Sequence, residues 1–299
     1  MIYDITHVTT YSYEAPVASA RCALRLLPRS DGGQSVLSGR IDVTPAPHDW
    51  RERVDFYGNR VAEARIDAPH VKLGIAMRSR VRVERPAPPA EAATLSWERV
   101  RADAIGAASL DSHAPAHWLY PSRLAPLYEP ATTYARASFP PGRPILEGAA
   151  ELMRRIKSDF VYDPSATHVA MPLARAFQMR SGVCQDFTHI MIAGLRGLGL
   201  PAAYVSGYIR TIPPPGGAPL EGADASHAWM SLWCGETDGW IDLDPTNAIL
   251  VENDHVVIAI GRDYADVSPI DGVIFSAGRQ KLDVSVSVTP VEAAAAAAG

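Results

Sequence analysis

The stretch Arg180-Ser-Gly-Val-Cys184-Gln-Asp-Phe187 sets a cysteine just after a glycine, at the head of a segment with helical periodicity. Phe187, Ile190, Met191, Leu195 and Leu198 recur at steps of three and four, which predicts a helix with one apolar face. Gly199 stands where a left-handed C-terminal cap is expected, and Pro201 blocks continuation. Ser181 is the expected N-cap, which places Cys184 in the first turn. There the unpaired backbone N–H groups and the positive helix end favour thiolate over thiol. A nucleophile uses that bias, whereas a packing cysteine does not.

Two later segments supply partners for such a thiol. Ala225-Ser-His227-Ala-Trp229-Met-Ser-Leu-Trp233-Cys234 reads as a strand by alternation and by its large side chains. Gly239-Trp240-Ile-Asp242-Leu-Asp244-Pro245-Thr246 is a shorter alternating run, and Gly235-Glu-Thr-Asp-Gly239 between them reads as a hairpin turn. A thiolate–imidazolium pair with a carboxylate orienting the ring is the general triad logic. Asp242 and Asp244 fall on the same face of their strand, so alternation alone does not choose the carboxylate.

These three blocks resemble the signatures of the transglutaminase-like superfamily, papain-like thiol enzymes with a Cys-His-Asp triad. The resemblance extends upstream. His7-Val-Thr-Thr-Tyr11-Ser-Tyr13, Leu24-Arg-Leu-Leu-Pro28-Arg29 and Phe56-Tyr57-Gly58-Asn59-Arg60 are similar to the β-rich N-terminal domain of bacterial members. Gly261-Arg262-Asp263-Tyr264 and Pro269-Ile-Asp-Gly272 match the same subgroup late in the chain. The resemblance implies Cys184 as nucleophile, His227 as acid and base, and Asp244, which follows Trp240 by four positions and precedes a proline, as orienting acid. Tyr162 matches an aromatic position of bacterial relatives and is expected to line the pocket. Gln178 lies at the offset where papain-like proteases place an oxyanion glutamine, although this superfamily does not generally require one. Trp229 is expected beside the His227 ring, shielding it. The backbone N–H of Cys184 is the simplest oxyanion donor.

The triad assignment carries a geometric condition. A register that sets Trp233 opposite Trp240 makes His227 the diagonal neighbour of Asp244, with Cα atoms ~7–8 Å apart. A register one residue away turns Asp244 to the other face unless a bulge near Gly235–Gly239 intervenes. The first register, or a bulge, is therefore expected.

Composition bounds the rest. The chain has 299 residues, 47% hydrophobic and 20% charged, as expected of a globular protein with one large or two ordinary domains. A net charge of −5 and scattered arginines leave no nucleic-acid footprint. No apolar run reaches the ~20 residues of a membrane span, and the N-terminus has no signal-peptide core. An odd set of 3 widely spaced cysteines argues against a disulfide framework and for a reducing cytoplasm. Cys22 and Cys234 read as packing cysteines. His7, His48, His70, His113, His117, His168 and His255 read as structural or exposed, and His189 lacks a ligand spacing, so no metal or cofactor is expected. Asp186 lies roughly 200° around the helix from Cys184, where it favours the helix N-terminus rather than the sulfur.

The expected architecture is α+β. Residues 1–85 form a β-rich domain, 86–95 a Pro-rich linker, 96–290 a papain-like core in which the cysteine-bearing helix packs on an antiparallel sheet, and 291–299 a low-complexity tail. Within the core, Ile145 to Phe160 reads as an amphipathic helix and Pro213–Pro219 as an exposed loop. The expected function is a thiol hydrolase, a cysteine peptidase or amidase acting on peptide or carboxamide bonds through a thioester. The alternatives are a protein-glutamine transglutaminase passing the acyl group to an amine, and a non-catalytic binding scaffold.

Overall fold

The structure is a computed structural model, and it describes residues 1–166, 171–210, 226–275 and 278–291. The loop 213–219, His168 and the tail beyond 291 lie outside the described residues. Residues 2–83 carry six strands joined by loops: Ile2–Val17 (β1), Ser19–Leu24 (β2), Gln34–Thr44 (β3), Asp49–Val54 (β4), Arg60–Ile66 (β5) and His70–Val83 (β6). Period-2 burial along β6, with Leu73, Ile75, Met77, Val81 and Val83 inward, shows why: each strand has one apolar row to hide.

After the linker come helices Trp97–Gly106 (α1), Glu129–Arg136 (α2) and Ile145–Asp159 (α3), the last within a residue of the expected amphipathic stretch. Short strands Val161–Tyr162 (β7) and Ser181–Gly182 (β8) flank Leu173–Met179 (α4) and pair in parallel. Cys184–Gly197 (α5) follows, then Ala202–Ile209 (β9), His227–Trp233 (β10), Trp240–Asp244 (β11), Ile249–Leu250 (β12) and His255–Gly261 (β13). The chain ends with Tyr264–Val267 (α6), Ile270–Phe275 (β14) and Gln280–Pro290 (β15).

The five core strands form one antiparallel sheet in the order β12-β11-β10-β9-β13. Trp233 lies opposite Trp240, Ser231 opposite Asp242 and Met230 opposite Leu243, so the expected register is present without a bulge. Ala228, Met230, Leu232, Tyr204 and Tyr208 share a core cluster with Phe187, Ile190 and Met191 of α5. Helix α5 was expected to bury one face. Instead every residue from Cys184 to Arg196 is buried, because helices cover the side away from the sheet. Gly197 packs so closely on α2 that a Cβ there would fall 1.9 Å from Thr132 Oγ1.

The C-terminal segment departs from the expected domain division. β15 pairs with β1 and β14 with β2, completing two four-stranded sheets in the orders β15-β1-β6-β3 and β14-β2-β5-β4. Residues 270–275 and 280–290 thus pair with the N-terminal strands rather than with the core sheet. The physical reason is pairing: β1 and β2 would otherwise present long unpaired edges.

Two side-chain amides join the halves. Gln34 donates to the carbonyl of Val257 and accepts from its N–H, both at 2.8 Å, and Asn59 does the same for Ile260, also at 2.8 Å. Each amide imitates a strand neighbour along the edge of β13. Arg29 donates to Asn59 Oδ1 at 2.7 Å and to the Tyr57 carbonyl at 2.6 Å, which explains why Arg29 and the Phe56–Arg60 turn form recognisable motifs.

Candidate active site

Cys184 is the first residue of α5. The turn before it is held from several sides. Arg180 adopts a left-handed conformation, φ 54°, and its guanidinium lies over the rings of Phe177, Phe160 and Tyr134 at 4.5, 4.6 and 5.0 Å. Ser181 is not the N-cap. That position falls to Val183, whose N–H donates to the Asp186 carboxylate at 2.9 Å. The carboxylate folds over Gly182, where a Cβ would meet Asp186 Oδ2 at 2.6 Å, so only glycine fits. Asp186 therefore serves the helix end, as its angular offset from Cys184 predicted.

His227 begins β10 and Asp244 ends β11, on the shared face that their register dictates. Their side chains are fully buried, with His227 Nε2 2.9 Å from Asp244 Oδ2. The Cys184 sulfur approaches the same imidazole. Nδ1, the nitrogen that Asp244 leaves free, makes no well-aligned hydrogen bond among the described residues, so the thiol–imidazole contact is looser than an ideal one. Such slack is usual between nucleophile and base in resting structures. Burial alone would discharge the ring. The Asp244 carboxylate, and after it Cys184, outweigh that effect and push the His227 pKa up to about 10.

Burial works against the Asp244 charge too. The His227 cation and hydrogen bonds from His227 and His255 overcome it and hold the carboxyl well below the usual carboxylate range. The carboxylate is amply solvated by protein. Oδ1 accepts from the backbone N–H groups of Thr246 at 2.9 Å and Asn247 at 3.2 Å, and Oδ2 accepts from Asn247 Nδ2 at 2.8 Å. The Asp-Pro-Thr-Asn turn thus builds its own anion cradle.

His255, expected to be structural or exposed, joins this site: its Nε2 lies 3.1 Å from Asp244 Oδ2. A lone histidine on a buried strand carries no spacing signal, and only the sheet order brings it to Asp244. The donor atoms of His227, Asp244 and His255 lie within 4.8 Å of one another, close enough for a cation. Yet both imidazoles and Asn247 already converge on Asp244 Oδ2, which leaves that oxygen hydrogen-bonded rather than open to a metal.

Trp229 is fully buried and donates its indole N–H to Asp242 Oδ2 at 3.0 Å. Its ring stacks beside His227, with centroids 6.2 Å apart, and meets His255 edge-on at 5.0 Å. It shields both imidazoles, and the bond to Asp242 separates the two candidate acids: one serves the indole, the other the imidazoles. Gly207, opposite His227, must stay bare, since a Cβ would fall 2.3 Å from the Trp229 ring. Tyr162 pairs with Gly182 and packs against Phe187, beside the cysteine turn. Gln178 is exposed on the last turn of α4 and is not gathered into the buried cluster. Cys22 and Cys234 stand apart, and burial pushes both thiols up.

Comparison with known proteins gives two family matches: a bacterial transglutaminase-like N-terminal region over residues 3–82, and the transglutaminase-like superfamily over residues 133–245. Uncharacterised proteins of Mycobacterium tuberculosis and Mycobacterium bovis are each 37% identical over 297 residues, covering 97% of this chain and 93% of theirs. One from Mycobacterium leprae is 31% identical, covering 95% of this chain and 97% of its own. Among solved structures, a candidate cysteine protease from Cytophaga hutchinsonii superposes with a TM-score of 0.72 at 21% identity, over 98% of this chain and 92% of that one. Among the described residues no helix is long and apolar enough to cross a membrane.

Proposed function

Since the chain belongs to the transglutaminase-like superfamily, a family of thiol enzymes, we propose that it is a cysteine hydrolase cleaving peptide or carboxamide bonds through Cys184, His227 and Asp244. The observation that carries this reading is the buried His227–Asp244 pair at 2.9 Å, with the thiol of the helix-initiating Cys184 against the same ring.

In the first half-reaction the Cys184 sulfur attacks the carbonyl carbon and forms an S–C bond while the C–N bond breaks. His227 passes its proton to the leaving amine. Asp244 keeps the ring in one tautomer and supports its charged form. As the first residue of α5, Cys184 has a backbone N–H outside the helical ladder, and that group is the donor proposed for the developing oxyanion. In the second half-reaction His227 takes a proton from water, hydroxide adds to the thioester, and the acid leaves as the S–C bond breaks. Water is the commonest acceptor, and favouring an amine requires a site built to exclude it. The free, unpaired state of all three cysteines accords with a reducing compartment, and we place the enzyme in the cytoplasm.

Product analysis of the purified protein on a peptide library, with and without a primary amine, tests the reading. Free acids in both conditions, lost in Cys184→Ala, are expected. Amine adducts in place of acids would assign transfer instead, and no product at all would favour the scaffold.

A further inference from the structure

A cavity of about 540 Å³ lies between loops of the N-terminal region, the Pro-rich linker and the core sheet. Its described lining includes none of Cys184, His227 and Asp244, so it is separate from the thiol site. Ser231 and Asp242 contribute to one wall, Arg85 to another, and Tyr57, Trp118 and Trp240 form an aromatic side. The Trp118 ring packs on Tyr57 at 5.0 Å and on Trp240 at 5.8 Å.

Three polar groups here have unused capacity. Ser231 is 4% exposed, and its hydroxyl has no hydrogen-bond partner among the described residues. The Asp242 carboxylate accepts from Trp229 Nε1 and makes no salt bridge there. Arg85 likewise pairs with no carboxylate: its Nη1 donates to the carbonyls of Glu252 at 2.5 Å and His255 at 2.8 Å. Arg29 and Asp31 in the lining pair with each other, whereas Arg85 feels the Asp242 charge across the cavity without a direct ion pair to it. Both side chains are half-buried, and one ligand can bridge them across the cavity. A ligand that did so would carry an anionic and a cationic end and an apolar body for the aromatic side. The volume exceeds what one amino acid fills and is within the range of small-ligand sites.

We propose that this cavity binds a short apolar peptide with both termini free. Its carboxylate meets Arg85, its ammonium meets Asp242 with Ser231 adding a hydrogen bond, and its side chains lie against Trp118 and Trp240. The proposal does not depend on the chemistry of Cys184.

Calorimetry on the full chain carrying Cys184→Ala, which removes turnover, tests it with leucyl-phenylalanine. The N-acetyl form lacks the ammonium and the C-terminal amide form lacks the carboxylate. Saturable binding of one free dipeptide per chain is expected, with each capped form ~10-fold weaker. Asp242→Asn keeps an acceptor for Trp229. It should lower the affinity of the free dipeptide to that of the acetylated form and leave the acetylated form unchanged. Arg85→Gln should do the same with respect to the amide, and Ser231→Ala should weaken the free dipeptide. Absence of saturable binding, equal affinity for all three probes, or an affinity unmoved by Asp242→Asn and Ser231→Ala would each overturn the proposal. The last result would assign any binding to the thiol site. Asp242→Asn and Ser231→Ala are near-isosteric, so the test stands even if Arg85→Gln fails to fold.

Discussion

His255 donates to Asp244 across 3.1 Å, on the same oxygen that His227 reaches at 2.9 Å. Burial outweighs the pull of Asp244 and keeps the His255 pKa below its ordinary value, so this ring is the neutral partner. Its other nitrogen, Nδ1, is buried without a hydrogen bond among the described residues. A protein tolerates such an orphan where the bond on the other side matters. His255 is thus read as a positioning residue that holds the carboxylate through the same oxygen as His227.

His255→Leu should therefore lower kcat by about tenfold while KM stays near its original value. His255→Gln, which restores a donor, should recover part of the loss. An unchanged kcat in His255→Leu would show that the turn at Thr246 and Asn247 holds Asp244 unaided.

The two acids are separated by their partners. Asp244→Asn should cut kcat/KM by about 10²-fold or more, by removing the charge that supports the imidazolium. Asp242→Asn still accepts from Trp229 and should stay within about threefold of the original activity. A larger loss in Asp242→Asn would contradict the assignment.

Stability should fall on acidification before most carboxylates titrate. Burial pushes the pKa of His7 and of His189 down to about 4, against ~6.5 in the unfolded chain. The unfolded state then binds protons first. What these rings contribute is complete above about pH 6.5 and is lost as pH falls towards 4, on the order of 3 kcal/mol each. His227 behaves oppositely: with its pKa raised to about 10, its contribution is complete below about pH 6.5 and is lost as pH rises through 10. Thermal scans should show Tm dropping between about pH 6.5 and 4.5. A flat Tm over that interval would refute the neutral, buried state of these histidines.

Asn59→Ala should destabilise by about 1–3 kcal/mol, since it strips both backbone groups of Ile260 and one acceptor from Arg29. Urea unfolding measures this. A loss confined to the N-terminal strands, with the core unaffected, would show that the amide clamp does not couple the two halves.

Local signals made the candidate site legible. A glycine cap and a proline delimit the cysteine helix, and the β10–β11 register with Trp233 opposite Trp240, expected from the condition that Asp244 share a face with His227, is the one present. Long-range pairing was less visible. Gln34 meets Val257 across 223 positions and Asn59 meets Ile260 across 201, contacts that no periodicity announces. Residues 280–290 join the edge of β1, a pairing with a strand at the far end of the chain that no local pattern announces. His255 and the all-round burial of α5 share that character, since sheet order and helix packing create both. The cap was misread for a different reason: Ser181 has the right chemistry, but Asp186 reaches back from inside the helix and takes the role.

In the proposed mechanism His227 activates the Cys184 thiol. The most direct test of that activation is the rate of iodoacetamide labelling near neutral pH, with the modified cysteine located by peptide mass mapping. Cys184 should react at least about tenfold faster than a free thiol, with Cys22 and Cys234 silent, and His227→Ala should abolish the excess. A Cys184 no faster than free thiol, or a rate indifferent to His227→Ala, would contradict the account.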